Sequence, residues 1–148
     1  MPIANVRIRP ATSDDCQTVY RFLCDLEETE LDPVRFAQVF TQNLISPTVW
    51  YVVAEQHDEV VGFASCHAQS VLHHVGRVGE IEELYVAPAS RGQQIGRQLV
   101  DALDALAVRE GFVNLEVTTN RKRTDAVRFY EREAFQPTHY KLVKPLLP

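Results

Sequence analysis

With 148 residues, 45% of them hydrophobic, the chain has the length of one compact domain and enough apolar side chain to bury a core without staples. A net charge of -5 argues against a general nucleic-acid binder, and the longest apolar runs, such as residues 49–54, are far too short to span a bilayer. No basic-then-apolar leader opens the sequence, and Cys16 and Cys24 fall about 12 Å apart along one predicted helix with Cys66 left over, so a cytoplasmic protein with reduced thiols is expected.

Residues 6–9 alternate apolar and basic side chains before Pro10, the pattern of a short strand. Thr12 or Ser13 caps a following helix, Asp14 and Asp15 suit its positive first turn, and Val19, Phe22, Leu23 and Leu26 recur at helical spacing. A second helix is predicted after Pro33, and the chain reverses at Ser46-Pro47. Residues 49–54 and 60–66, β-branched and aromatic, read as a hairpin across the polar segment 55–59; residues 78–86 supply a third central strand. Ile95, Leu99, Ala102, Leu103 and Leu106 mark one face of a long helix ending near Gly111. Residues 113–118 then read as a strand, 124–133 as a short helix and 138–143 as a last strand. No repeat or linker interrupts the chain, so one domain spans 1–148. It is of the α/β (α+β) class, with a mixed central sheet flanked by helices in the order β-α-α-β-β-β-α-β-α-β.

The chemistry concentrates between the third central strand and the long helix. There Arg91, Gly92, Gln93, Gln94, Ile95 and Gly96 bring successive backbone N–H groups to a helix N-terminus, where unsatisfied donors and the helix dipole make an anion cradle for a pyrophosphate. Arg91 and Arg97 add charge. A dinucleotide fold would place such a loop after the first strand of a βαβ unit, whereas here hairpin-ordered strands precede it.

These residues resemble the GNAT acetyltransferases, whose pyrophosphate loop reads Arg/Gln-x-x-Gly-x-Gly/Ala. Arg91 and Gly96 match, while Gln94 stands where that family usually has glycine. A second signature is similar at Ala126, Phe129-Tyr130 and Ala134-Phe135, with Ala134 replacing a glycine. The resemblance covers essentially the whole chain and implies an enzyme, an N-acetyltransferase using acetyl-CoA as cosubstrate. Residues 72–75, 79–84, 119–123 and 125–126 resemble, more closely, a bacterial branch of that family. That implies transfer to the amine of a small aminoalkylphosphonate by direct attack in a ternary complex.

Acetyl transfer needs a neutral amine, hence a base; Glu80 on the central strand is the first candidate, with Glu82 on the same face and Glu83 on the other. The resemblance implies Tyr130 as the acid that protonates the departing thiolate. It also implies that the backbone of Leu84, Tyr85 and Val86 pairs with pantetheine like an added strand. Asn120 either bonds the pantetheine arm or caps a turn. His73 and His74 are candidates to bind phosphonate, relay protons, or hold a divalent cation with Glu80. Arg121, Lys122, Arg123 and Arg128 are candidates for phosphonate or the 3′-phosphate of CoA, and Arg123 with Glu82 joins the substrate set. Other readings are acetylation of an aminoglycoside, amino sugar phosphate or polyamine, and a non-catalytic acetyl-CoA sensor. The apolar C-terminal residues suggest a homodimer; neither nucleic acid nor membrane is an expected partner.

Overall fold

β-branched and aromatic runs, covered on both faces, build the central strands of a five-stranded sheet in the computed structural model, which describes residues 3 and 5–147: β1 (Arg7–Pro10), β2 (Val49–Gln56), β3 (Glu59–Val71), β4 (Gly76–Val86) and β5 (Asn114–Val117). They lie in the order β1-β2-β3-β4-β5. The first three pairings are antiparallel; β5 joins β4 parallel, as a crossover through a helix requires. The β2–β3 hairpin turns on His57 and Asp58, both at positive φ as a two-residue hairpin turn demands.

Four helices cover the sheet: α1 (Cys16–Leu26), α2 (Pro33–Leu44), α3 (Ile95–Glu110) and α4 (Thr124–Arg132). A 3-10 turn at Ser13–Asp15 leads into α1. Thr12 and Asp15 form a capping box there, and the Asp15 carboxylate accepts two hydrogen bonds from Arg9 at 2.8 and 3.0 Å. Asp32 caps α2 by accepting from the N–H groups of Val34 and Arg35 at 2.9 and 3.0 Å, with Pro33 preset for the first turn.

Two cores result. On one face, Ile95, Leu99, Leu103 and Leu106 of α3 pack on Ala54, Ala64, Cys66 and Ile81; on the other, Val19 and Leu23 of α1 and Phe40 of α2 pack on Val53 and Phe63. Gly79 is required by close approach, since a Cβ there would sit 2.5 Å from the Phe112 ring. Gly111 ends α3 at φ 71, in the left-handed region predicted for it.

One expectation fails. Residues 138–143 form no strand: residues 136–147 are exposed throughout, and Tyr140 and Leu142 are each 93% exposed. A strand needs a neighbour for its backbone groups, and this segment pairs with no strand among the described residues. The edge of β5 away from β4 likewise carries no strand among the described residues.

Candidate active site

The parallel pairing of β4 with β5 stops at Ile81 against Val117, so β4 runs on through residues 82–86 paired only to β3. Backbone groups alternate in direction along a strand. The N–H of Ala87 bonds toward β3 at Val61 (2.8 Å), which turns the backbone groups of Leu84 and Val86 to the opened edge. The Val86 carbonyl confirms that direction by accepting from Arg91 Nε at 2.9 Å. A backbone edge left unpaired in mid-sheet is a place for an extended ligand to bond as a strand would.

Just beside it the loop delivers its donors. A 3-10 turn at Pro88–Ser90 leads to Arg91; Gly92 (φ 77) and Gln94 (φ 61, ψ 24) are left-handed, and α3 begins at Ile95. The first bond closing α3 is Gln98 N–H to the Gln94 carbonyl at 3.1 Å, which leaves the N–H groups of Ile95, Gly96 and Arg97 for an outside acceptor. Gln94 therefore adopts, as a glutamine, the backbone that glycine adopts most cheaply. Arg91 folds back over the Tyr85 ring, 5.5 Å from its centroid, while Arg97 stays exposed and Gln93 accepts from Gln56 at 3.4 Å.

The acids sit at a bulge. Ala64 faces Leu84 and Cys66 faces Ile81, so Glu82 and Glu83 together oppose the single residue Ser65. The extra residue shifts the side-chain parity of everything after it. Glu83, expected to point away from Glu80, instead lies on the α1–α2 face: its carboxylate accepts from the Ser65 hydroxyl and its N–H donates to the same oxygen at 3.0 Å. Tyr85 follows onto that face, where its hydroxyl donates to Asp25 and its ring lies 4.9 Å from Phe22. Burial first and Asp25 second push the Tyr85 phenol up to about 12, so it stays protonated.

Glu80 accepts from Thr118 at 3.0 Å and stands opposite Glu116 of β5. The Glu82 carboxyl is raised above the usual carboxylate range, chiefly by desolvation and then by the charge and hydrogen bond of Glu80, with Lys141 opposing. His74 lies 3.8 Å from Glu116, its ring tilted against that of His73 with centroids 4.3 Å apart, in a 3-10 turn at Leu72–His74. That turn is the far end of the β3–β4 hairpin; it brings His74 to the acidic row through Glu116, while exposed His73 reaches none of it. Among the described residues no three His, Cys, Asp or Glu side chains converge as a metal site.

Tyr130 lies in α4 between Phe129 and Phe135, ring centroids 5.2 and 5.6 Å away. Its phenol is pushed up to about 12 by burial, with Arg123 opposing. Behind it the helix closes with Phe135 N–H on the Tyr130 carbonyl (3.0 Å) and Ala134 N–H on the Glu131 carbonyl (3.1 Å), Ala134 taking the left-handed φ of 72. Asn120 takes the turn-capping alternative, accepting from Lys122 N–H at 3.0 Å. Arg123 donates to the Leu26 carbonyl at the end of α1 (2.9 Å) and lies 4.0 Å from Glu27.

Between α1, α2 and the sheet lies a cleft of about 500 Å³, walled by Leu23, Leu31, Phe36 and Phe40 and floored by Phe63 and Glu83. Four polar side chains besides Tyr51 line it: Glu27, Asp32, Arg35 and Glu83. Asp32 is committed to capping α2 and Glu27 stands beside Arg123. The Arg35 guanidinium has no partner among the described residues. Sequence reasoning missed Arg35, Ser65, Asp25, Glu116 and Thr118, because each acquires its place only through contacts between elements distant in the chain.

A model of the Acetyltransferase (GNAT) family matches residues 16–135. The aminoalkylphosphonate N-acetyltransferase of Salmonella typhimurium is 42% identical over 146 residues, covering 99% of this chain and 94% of that protein. An IAA acetyltransferase of Azospirillum brasilense is 29% identical over 78% of this chain and 70% of its own length. Among solved structures, a transcriptional regulator from Bacillus halodurans superposes with a TM-score of 0.90 at 29% identity, covering 96% of this chain and 100% of that one. An aminoglycoside N-acetyltransferase in complex with CoA superposes at 0.85 and 14% identity over 96% and 95%, a likeness of fold alone.

Proposed function

The chain belongs to the GNAT family and is an N-acetyltransferase, and on that premise we propose that it transfers acetyl from acetyl-CoA to the amine of a small aminoalkylphosphonate in a ternary complex. The observation that carries the substrate class is the cleft. Its unpartnered Arg35 guanidinium is suited to an oxyanion, and Glu83 at the floor to an ammonium, with apolar walls between for a short alkyl chain. The remaining carboxylates, Asp32 and Glu27, are engaged, which favours a zwitterion over a polycation.

In this reading the CoA pyrophosphate lies on the N–H groups of Ile95, Gly96 and Arg97, and pantetheine runs along the free edge of Leu84 and Val86. A backbone N–H on that edge polarises the thioester carbonyl. The substrate ammonium gives one proton, through water, to the Glu80–Glu82 pair. The nitrogen lone pair then attacks the carbonyl carbon, the C–S bond breaks, and Tyr130 protonates the thiolate; the second proton leaving nitrogen restores the phenol by way of solvent. A phenol held near 12 keeps its proton until a developing thiolate asks for it.

Thiol release from acetyl-CoA tests this with aminomethyl-, 1-aminoethyl- and 2-aminoethylphosphonate, an aminoglycoside, glucosamine 6-phosphate and spermidine, each with and without chelator. Phosphonates should be turned over selectively, and Arg35→Ala should raise their KM at least about 10-fold while sparing acetyl-CoA affinity, the loss of one charge-assisted contact. Preference for spermidine or the aminoglycoside would refute the substrate class. Binding of acetyl-CoA with no amine acetylated would favour a sensor.

A further inference from the structure

The cleft between α1, α2 and the sheet is larger than a short aminoalkylphosphonate. A water molecule takes up roughly 30 Å³ in the liquid, so the few non-hydrogen atoms of aminomethylphosphonate fill well under half of about 500 Å³.

The space left over is lined by rings. Phe36, Phe40, Tyr51 and Phe63 form a continuous wall, with centroids 6.2 Å apart for the first pair, 5.3 Å for the second and 5.4 Å for the third. Core contacts behind them hold the rings in place. The Tyr51 hydroxyl is held on α2, accepting from Asn43 at 2.7 Å, which leaves the ring as what Tyr51 offers the cleft. Arg35 and Val39 are four positions apart on α2 and share a face, so this apolar wall adjoins the unpartnered guanidinium; Val39 is 54% exposed at the rim.

We propose that the cleft takes aminophosphonates with an aryl arm on the carbon that bears the amine, the arm lying on the wall of Phe36, Phe40 and Tyr51. This rests on reading the cleft as the amine site. With the phosphonate on Arg35 and the ammonium at Glu83, a third substituent on the same carbon has the wall as its neighbour. Aromatic rings pair offset or edge-on, and an aryl arm displaces water that apolar walls hold weakly. A sugar or polyamine of similar bulk would meet rings in place of hydrogen-bonding partners along this wall. The reaction is unchanged: the amine nitrogen bonds the acetyl carbon, the C–S bond breaks, CoA leaves as the thiol and one proton is released to solvent.

Steady-state kinetics with 1-amino-2-phenylethylphosphonate, 1-aminoethylphosphonate and aminomethylphosphonate tests the arm. The phenyl compound should show a KM at least about 10-fold below that of 1-aminoethylphosphonate with kcat within about 3-fold, since one methylene in an apolar pocket already earns roughly 10-fold. Val39→Trp fills the rim at a half-exposed position and should bring the two KM values within about 3-fold of each other. A measurement on the unaltered chain runs beside it: benzylphosphonate, which has no amine to acetylate, should inhibit at least about 10-fold more tightly than methylphosphonate. Turnover of 1-aminoethylphosphonate with the phenyl compound no better, or equal inhibition by the two phosphonates, would overturn the aryl site and leave the phosphonate reading standing. Failure of every aminophosphonate alongside turnover of another amine would overturn both.

Discussion

Gln94 holds the loop before α3 in a conformation its side chain disfavours, and that strain is measurable. At φ 61 and ψ 24 an L-residue with a Cβ sits roughly 1–2 kcal/mol above the right-handed region. The side chain is exposed and makes no capping bond, so replacing it removes no contact that offsets the strain. Gln94→Gly relieves the strain but adds roughly 0.5–1 kcal/mol of unfolded-state entropy. The net expectation is a stabilisation of about 0.5–1 kcal/mol, or a Tm about 2–3 °C higher for a chain of this size. Gln94→Val should go the other way, by about 1–2 kcal/mol, because a β-branched residue tolerates the left-handed region least. Calorimetry gives the two stabilities, and isothermal titration the acetyl-CoA affinity, expected to change less than about 3-fold in the glycine variant and to fall at least about 10-fold in the valine variant as the N–H groups turn aside. A destabilised glycine variant, or a valine variant as stable as the parent, would refute the left-handed assignment and with it the account of the cradle.

Tyr130→Phe should lower kcat about 100-fold or more while leaving acetyl-CoA affinity nearly unchanged; a loss of Tm with kcat intact would make it a packing residue only. In Glu80→Gln the acid limb of kcat/KM should move to lower pH, because removing a like charge and a hydrogen bond lowers the Glu82 carboxyl, and an unmoved limb would separate the two acids. Asp15 is held below its ordinary value, first by the Arg9 hydrogen bond, so its stabilisation is present above about pH 3.8 and is lost as pH falls through the depressed folded value. Asp15→Asn should therefore cost about 2 kcal/mol near neutral pH by urea unfolding, with the two curves converging in strong acid.

The sequence carried the elements wherever period and punctuation agreed. Pro33 and Asp32 fix the start of α2, Gly111 the end of α3, and the run of Ile95, Leu99, Leu103 and Leu106 its buried face. Gln94 and Ala134 were legible as departures from glycine. That both keep the left-handed backbone was not, since the loop and the cap impose it against local preference. The last strand was misread for the converse reason: residues 138–143 have strand composition, but a strand is a pairing, and composition does not say who the neighbour is.

The face of Glu83 turned on one residue. Simple alternation from Glu80 sends positions 82 and 84 to one face and 83 and 85 to the other. Ser65 opposing both Glu82 and Glu83 breaks that count, carrying Glu83 and Tyr85 to the α1–α2 face while Leu84 and Val86 turn their side chains toward α3. The same stretch of β4 has lost β5 as a neighbour, so the bulge and the opened edge coincide. A regular strand would leave Glu83 on the face opposite Glu80 and Glu82. The bulge instead brings Glu83 to the cleft, where its charge adds to that of Glu80 in raising the Glu82 carboxyl, and leaves backbone groups of Leu84 and Val86 free beside the N-terminus of α3. The three acids within four positions thus differ in surroundings: Glu80 accepts from Thr118, Glu83 accepts from Ser65 and lines the cleft, and Glu82 feels the charge of both.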